Sequence, residues 1–380
     1  MGKRGGGRFD LKRSLFFETL YKKWMFFAGY MHEKDILITG AAGFIGCDLC
    51  KSLSTENFVT AVDRREGSFN SNHVAWELID LTDFHAVNTI CRKYSPGGVI
   101  HCAAIAHQKI GAVDSDTYMR VNCEATENLA KAAAQSNPDA YFIFLSTVSV
   151  YGEENLNGPV PEESEFRPSS AYAASKLDAE KRLIALMDRG IIHNLVILRP
   201  APVYDRDWRF NLERRVRAPM GIAYIRFGSG SQKMSALARP NLVAFISHVL
   251  KIIKGSDREF MDEQGSGDGS DENIVPAKSR EQNHRKNLRI FNVCDETPYD
   301  FNSIVRVFKK SGIYPNRPVI SAPLSAVWVG TRLAGALFPG KRRWFHSGYN
   351  KLASDLIFDN GKMLKTGFKP HHSLETVFAH

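Results

Sequence analysis

Tyr172 and Lys176 stand four residues apart in a stretch of good helix formers, which sets a phenol and an ammonium one turn apart on one helix face. A cation beside a phenol stabilises the phenolate, lowers the tyrosine pKa and makes it usable as an acid or base near neutral pH. Spacing alone carries little weight, because Tyr30 and Lys34 share it. The context that matters lies about 25 residues upstream, where the run Ala140–Ser146 reads as a strand and delivers Thr147 at its end. Doubly wound folds bind ligands at that carboxyl edge. A second cluster, Gly40-Ala-Ala-Gly43-Phe44-Ile45-Gly46, follows the β-branched run Asp35–Thr39 directly. Gly40 permits a tight turn, Gly43 lets backbone N–H groups approach a pyrophosphate, and Gly46 lets a helix sit close on the strand. The clusters Gly5–Gly7 and Gly265–Gly269 lack the strand before and the helix after.

These residues need a frame that brings them to one edge. Short apolar runs at Asp35–Thr39, Phe58–Asp63, Val74–Ile79, Gly98–His101, Ala140–Ser146 and Asn194–Arg199 read as strands. Between them, 44–55, 84–94, 114–136 and 170–189 carry helical spacing. Strand, helix, strand in repetition means a parallel sheet covered on both faces. The expected class is α/β, a Rossmann-like doubly wound parallel sheet with a smaller C-terminal substrate-binding α/β lobe. The organisation follows as a basic extension over 1–30, disordered or amphipathic, a dinucleotide-binding domain over 31–200, and a mainly substrate-binding lobe over 201–380. Residues 256–287 are polar, Gly-rich and nearly free of aromatics, and are expected to form a disordered surface insertion within that lobe.

The second strand closes on Asp63, where a carboxylate can accept both ribose hydroxyls of an adenosine and would repel a 2′-phosphate. This favours NAD. Arg64 and Arg65 beside it pull toward NADP, the less favoured choice. Asp80, after the third strand, is placed either to meet the adenine amino group or to cap a turn.

Composition excludes several classes. The chain has 380 residues, 43% hydrophobic and 24% charged, enough apolar material for a core. No uninterrupted apolar stretch approaches the roughly 20 residues that span a bilayer. Residues 1–30 hold seven of the Lys and Arg and two of the acids, and the remainder is only mildly basic, unlike a nucleic-acid footprint. Six cysteines, unclustered apart from Cys47 and Cys50, fit a reducing cytoplasm better than a disulfide framework, and no metal site is expected.

Taken together these residues resemble the short-chain dehydrogenase/reductase superfamily in its extended branch, the NAD-dependent epimerase/dehydratase family that modifies nucleotide-sugars. The resemblance runs from Asp35 to Phe378 and takes in the glycine loop, Asp63, His101-Cys-Ala103-Ala104, Tyr118-x-x-Val-Asn122, Thr147, Tyr172/Lys176 and Leu198-Arg199-Pro200. It implies that Thr147 hydrogen-bonds the reacting hydroxyl, Tyr172 shuttles its proton and Lys176 holds the nicotinamide ribose. By the same resemblance Phe44, Ile45, Arg64, Asp80, Leu81, Ala103, Ala104, Asn122 and Pro200 join Gly40, Gly43, Gly46 and Asp63 around the cofactor. A homodimer through helices 114–136 and 170–189 is implied as well.

The reaction narrows further. Relatives that dehydrate sugars carry Asp-Glu directly after the catalytic threonine, and decarboxylases keep a glutamate two positions after it. Val148 and Ser149 stand there in this chain and cannot do general acid/base work. What remains is hydride and proton transfer alone, in a nucleotide-sugar epimerase or a keto-sugar reductase. In the second half the resemblance marks Asn211, Leu212, Phe227 and Lys233 as substrate-binding. The family's Asn-x-Tyr-Gly-Pro is replaced by Pro202-Val-Tyr204-Asp205-Arg206, which removes one diphosphate-binding amide. Arg206, Arg214, Arg215 and Arg239 are candidate replacements. That missing amide and the apolar run Met234–Ala238 keep a reductase of a non-nucleotide carbonyl as a second reading. A non-catalytic dinucleotide sensor or assembly protein is a third, against which the intact Thr147, Tyr172 and Lys176 argue.

Two segments bear on location, expected to be cytoplasmic. Phe16, Leu20, Trp24 and Phe27 line one side of an amphipathic stretch in the basic extension. Residues 323–346 read as an apolar helix ending in Lys341-Arg342-Arg343-Trp344. That second segment is expected as a core helix whose basic end suits its dipole, with contact at the inner face of a membrane as the alternative for both.

Overall fold

The computed structural model describes residues 35–106, 113–152, 156, 158–218, 221–255 and 287–379. The basic extension 1–30 and the insertion up to residue 286 lie outside the described residues. The first strands and helices are β1 (Asp35–Thr39), α1 (Gly46–Leu53), β2 (Phe58–Asp63), β3 (Val74–Leu78), α2 (Phe84–Tyr94) and β4 (Gly98–His101). They are followed by α3 (Ser115–Met119), α4 (Ala125–Ser136), β5 (Tyr141–Leu145), α5 (Ala171–Asp188) and β6 (Asn194–Pro200). Every strand read from the sequence is present to within a residue at either end. Parallel strands covered on both faces are apolar along their whole length, which makes them legible as runs.

The sheet is wholly parallel, in the order β3-β2-β1-β4-β5-β6, with β10 (Leu288–Val293) added beside β6. Pleating sends alternate residues to opposite faces. Ile36, Ile38 and Ile143 face a cluster with Leu49, Leu242 and Phe245, while Leu37, Phe142 and Phe144 face another with Leu129 and Leu183. The strand order reverses between β1 and β4, which opens a crevice at their carboxyl ends.

Helix 114–136 is interrupted. Arg120–Glu124 form one wide turn between α3 and α4, and such turns shift the side chains they carry out of helical register. Asn122 sits in this turn.

The second half does not stand apart from the first. After β7 (Val203–Tyr204), α6 (Phe210–Val216), β8 (Tyr224–Phe227) and β9 (Leu237–Ala238), helix α7 (Arg239–Ile253) sends Leu242, Phe245 and Ile246 into the core beneath β1 and β5. Strand β10 then completes the large sheet. Residues Met234–Ala238 are buried in the core, and this is the run that had prompted the apolar-substrate reading.

The C-terminal elements are α8 (Phe301–Lys310), β11 (Val319–Ala322), α9 (Leu324–Leu337), α10 (Arg342–Ala353), α11 (Gly361–Lys365) and α12 (Leu374–Val377). The apolar segment 323–346 is not a core helix. It breaks at Pro339-Gly340, and in α9 Val329, Leu333 and Leu337 are exposed while Gly335 is buried. Its apolar residues form a stripe that nothing among the described residues covers, so the core expectation for this segment is overturned. No described helix is long and apolar enough to cross a membrane.

Candidate active site

The glycine loop closes tightly over the crevice. Gly40 has φ +67°, and a Cβ there would lie 2.8 Å from Ala103 N on the facing loop. At Gly46 a Cβ would meet the Gly40 carbonyl oxygen at 2.1 Å, so helix and strand approach only without side chains. Ile45 precedes α1 with no side-chain cap, which leaves the helix start and its partial positive charge facing the crevice. The Asp63 carboxylate braces the loop, accepting from Ala42 N–H at 3.1 Å and from Arg64 N–H at 2.7 Å. Both bonds leave lone pairs on its oxygens, so the set suits a dinucleotide's pyrophosphate and ribose. Asp80 caps its own turn, taking Thr82 N–H at 2.9 Å and Thr82 Oγ1–H at 2.8 Å, and Leu81 packs partly against the core. Those Thr82 bonds, the backbone one first, hold the Asp80 carboxyl below its usual range.

The opposite wall is 102–106. Ala103 N–H donates to Thr39 Oγ1 at 3.3 Å. Asn122 clamps Ile105 from both sides, accepting its N–H at 2.7 Å and donating to its carbonyl at 3.0 Å, and also donates to Ser175 Oγ at 3.1 Å. Its amide thus shapes the loop that carries Ala103 and Ala104. Below it His101 is buried between Thr39 Oγ1 at 2.6 Å and Thr126 Oγ1 at 2.8 Å. Burial first, and the Lys176 charge second, push this histidine down to about 3, so it is a neutral strut.

Thr147 is buried and heads the turn Val148–Tyr151, its Oγ1 accepting from Ser149 N–H at 3.2 Å. Tyr172 enters on the first turn of α5, which Ser170 caps by accepting from Ala173 N–H at 3.1 Å. The Thr147 hydroxyl lies near enough to the Tyr172 phenol to oppose its rise in pKa. The two groups expected to handle a substrate proton are therefore together at the crevice.

One expectation is corrected. The Tyr172 phenol is not lowered; burial pushes it up to about 12, against the opposing Thr147 hydroxyl. The cause is the direction taken by the lysine. Lys176 is 2% exposed, and its Nζ lies 4.4 Å from the centre of the Phe144 ring, over the sheet beside His101 and Cys102. Burial pulls the ammonium down to about 8, and Cys102 and Glu180 oppose this only in part. It is charged at neutral pH but close to release.

Glu180, two turns along the same helix face from Tyr172, was missed in the sequence. It takes a fork from the buried Arg199, at 3.1 Å to Nε and 2.6 Å to Nη2, and accepts the Ser146 hydroxyl. Arg199 further donates to the Tyr151 hydroxyl at 2.6 Å and the Glu162 carbonyl at 2.9 Å, and Tyr151 donates to Asn292 Oδ1 at 2.8 Å. Spacing of i, i+4 and i+8 from Tyr172 through Lys176 to Glu180 was the available signal. Pro200 closes β6 next to this network and pairs with Val293.

In the second half Leu212 is fully buried and belongs to the core. Asn211 Nδ2 donates to the Val203 carbonyl at 3.4 Å, Phe227 is half-buried on β8, and Lys233 is exposed with its N–H held by Asp355 at 2.7 Å. The candidate arginines diverge. Arg239 joins the two halves: Nη2 is 2.6 Å from Asp205, Nη1 donates to the Phe44 carbonyl at 3.1 Å, and the guanidinium lies 4.4 Å over the Phe44 ring. Its Nε is 3.0 Å from Asp48 but off the hydrogen-bonding direction. Trp208 packs tilted against the same Phe44, with ring centres 5.3 Å apart. Arg206 donates to the Ala379 carbonyl, Arg214 covers the Phe210 ring, and Arg215 donates to the Ser354 carbonyl at 3.1 Å. A second missed centre is Asp295, buried and accepting from Tyr204, Tyr299, Asn241 and Ala238 N–H at 2.7–2.9 Å.

The model described as the NAD dependent epimerase/dehydratase family matches residues 36–251. A UDP-glucose 4-epimerase of Vibrio cholerae is 33% identical over 242 residues, covering 61% of this chain and 71% of the relative. A dTDP-glucose 4,6-dehydratase of Haemophilus influenzae is 28% identical over 239 residues, covering 48% and 69%. Among solved structures, the UDP-Glc/GlcNAc 4-epimerase of Campylobacter jejuni superposes with TM-score 0.64 at 20% identity, over 91% of this chain and 97% of that one. The UDP-glucuronic acid 4-epimerase of Bacillus cereus, solved in complex with NAD, gives 0.61 at 20% identity over 90% and 96%. At such identities the two structures attest the fold.

Proposed function

The chain belongs to the NAD-dependent epimerase/dehydratase family, and from that premise we propose that it is an NAD-dependent nucleotide-sugar 4-epimerase. The observation that carries this reading is Thr147 and Tyr172 brought together at the carboxyl edge of the sheet, with Lys176 buried one turn along the same helix and no carboxylate at 148 or 149. NAD would be held by Gly40, Gly43, Phe44, Ile45 and Gly46 at its pyrophosphate, by Asp63 at its adenosine ribose and by Lys176 at its nicotinamide ribose. Asp63 in place and Arg64 exposed favour NAD over NADP.

When bound, NAD supplies a reversible hydride acceptor. The chain's own residues then handle the proton. Thr147 fixes the reacting hydroxyl by hydrogen bonding, and Tyr172 takes its proton and later returns it. A tyrosine raised by burial is a poor base until a cation comes near, and Lys176 is the cation within reach of the site. Epimerisation also needs the sugar to turn over between the two hydride transfers, which suits a substrate held through its nucleotide diphosphate. Asn211, Phe227, Lys233 and the half-buried Arg215 are the residues proposed for that end. The similarity to a UDP-glucose 4-epimerase supports carbon 4 as the centre. A homodimer through α3, α4 and α5 completes the reading, and light scattering would register it as twice the 42.6 kDa chain mass.

The test is proton NMR of UDP-glucose, and separately UDP-N-acetylglucosamine, incubated with the protein and a catalytic amount of NAD. The 4-epimer should accumulate to equilibrium without net NADH. Stoichiometric reduction or oxidation of nicotinamide without epimer would make the chain a reductase or dehydrogenase instead. Bound cofactor with no turnover would make it a sensor.

A further inference from the structure

The charge of this chain is unevenly placed. Residues 301–354 contain nine Lys and Arg and no Asp or Glu, which equals the net +9 of the whole protein. The other residues therefore balance to zero. Within this acid-free segment lies the uncovered stripe of α9. Val329, Leu333 and Leu337 follow one another at four-residue spacing and are 47%, 61% and 76% exposed, and Phe338 and Trp328 extend the surface. Arg332 lies over the Trp328 ring at 4.8 Å, and Arg342 is exposed at the start of α10. α9 packs on α10, with Gly335 close against Arg342.

We propose that the α9–α10 pair docks the protein on an anionic phospholipid surface, with the α9 stripe in the headgroup–acyl boundary and the exposed Arg332 and Arg342 on lipid phosphates. An exposed apolar stripe of this extent marks an interaction site. Charge selects the occupant. A second copy would bring two acid-free segments face to face, and the N-terminal segment, itself carrying seven basic residues against two acidic in 1–30, would be repelled likewise. An anionic membrane complements both the apolar stripe and the cations. At 14 residues α9 lies on such a surface and is too short to span it.

The docking elements are also tied to the substrate side of the site. β11, which leads into α9, pairs with β8 and so with Phe227. At the other end Ser354 and Asp355 hold Arg215 and Lys233. A lipid-bound α9–α10 would keep that end of the crevice beside the membrane.

The experiment is co-sedimentation of the full chain with vesicles of equimolar phosphatidylglycerol and phosphatidylcholine, against vesicles of phosphatidylcholine alone. Binding is expected only to the anionic vesicles and should fall as salt rises. The double variant Leu333→Glu/Leu337→Glu removes two exposed leucines, so its melting temperature should hold while its partition coefficient drops at least about a hundredfold. Arg332→Glu, an exposed single change, should weaken binding severalfold without touching the apolar stripe. Absence of binding to anionic vesicles would overturn the proposal. So would undiminished binding of the double variant, which would assign the membrane contact to the N-terminal segment. A change of oligomeric state in that variant would overturn it too, by making the face an interface between copies.

Discussion

Two buried cations about one strand apart meet opposite surroundings, and the difference separates scaffold from site. Behind the sheet edge Arg199 is 1% exposed, forked onto Glu180 and shared with Tyr151 and the Glu162 carbonyl. Burial alone would lower its pKa, yet the Glu180 bond and charge prevail and raise it. In the crevice Lys176 is as deeply buried but has an aromatic face instead of a carboxylate, and burial wins, taking it down to about 8. A fully paired charge holds a structure together. One left short of a partner is held ready for another anion or dipole. Neighbouring residues divide the same way, since Ser146 bonds to Glu180 while Thr147 lies near Tyr172.

Removing a group from each region should therefore damage different properties. Tyr172→Phe is expected to cost about 10²–10⁴ in kcat while leaving the melting temperature and NAD binding near those of the parent. A large loss of stability instead would put Tyr172 in the scaffold. Glu180→Ala is expected to do the reverse. It strands Arg199 and should lower unfolding free energy by about 3–5 kcal/mol in urea titrations. A variant that keeps its stability and loses turnover would erase the distinction.

These two predictions also mark how far the sequence could be read. The parallel strands and the glycine loop were legible because burial on both faces makes apolar runs and because a Cβ at Gly40 or Gly46 would strike backbone. Tyr172, Lys176 and Thr147 were legible by spacing and by position at a strand end. The direction of the Lys176 side chain was not, since one helical turn of separation does not say whether an ammonium turns to a phenol or to Phe144. Glu180 and Arg199 meet only because α5 packs across β6. The second half was harder still. β7 and β9 are two residues each, and Met234 pairs with Tyr299 and Leu356 across long stretches of chain that no local pattern connects. The α9 stripe looked like core because apolar spacing reports that a face is apolar and not what covers it.

A gentler contrast comes from pH. Between the folded pKa near 8 and the ordinary value of 10.5, the unfolded chain keeps the Lys176 proton that the folded chain has released. The unfolded state then binds more protons, so this lysine's penalty on stability fades as pH rises through that window. Relative to Lys176→Met, the parent should gain up to roughly 3 kcal/mol of unfolding free energy between pH 7 and 10. An equal pH slope in both proteins would mean that Lys176 is paired after all. Arg239→Ala should be milder, about 1–2 kcal/mol, through loss of the tie from Asp205 and the Phe44 carbonyl. Its additional signature should be weaker NAD binding by isothermal titration, because the glycine loop loses the guanidinium that covers Phe44.

The most direct test of the crevice as a site of internal hydride exchange is the fate of a label. UDP-glucose deuterated at carbon 4, incubated with the protein and unlabelled NAD, should give a 4-epimer that keeps its deuterium, because the hydride that leaves carbon 4 for the bound cofactor is the one returned to it. Deuterium recovered in released nicotinamide cofactor, or epimer formed with solvent hydrogen at carbon 4, would contradict this account.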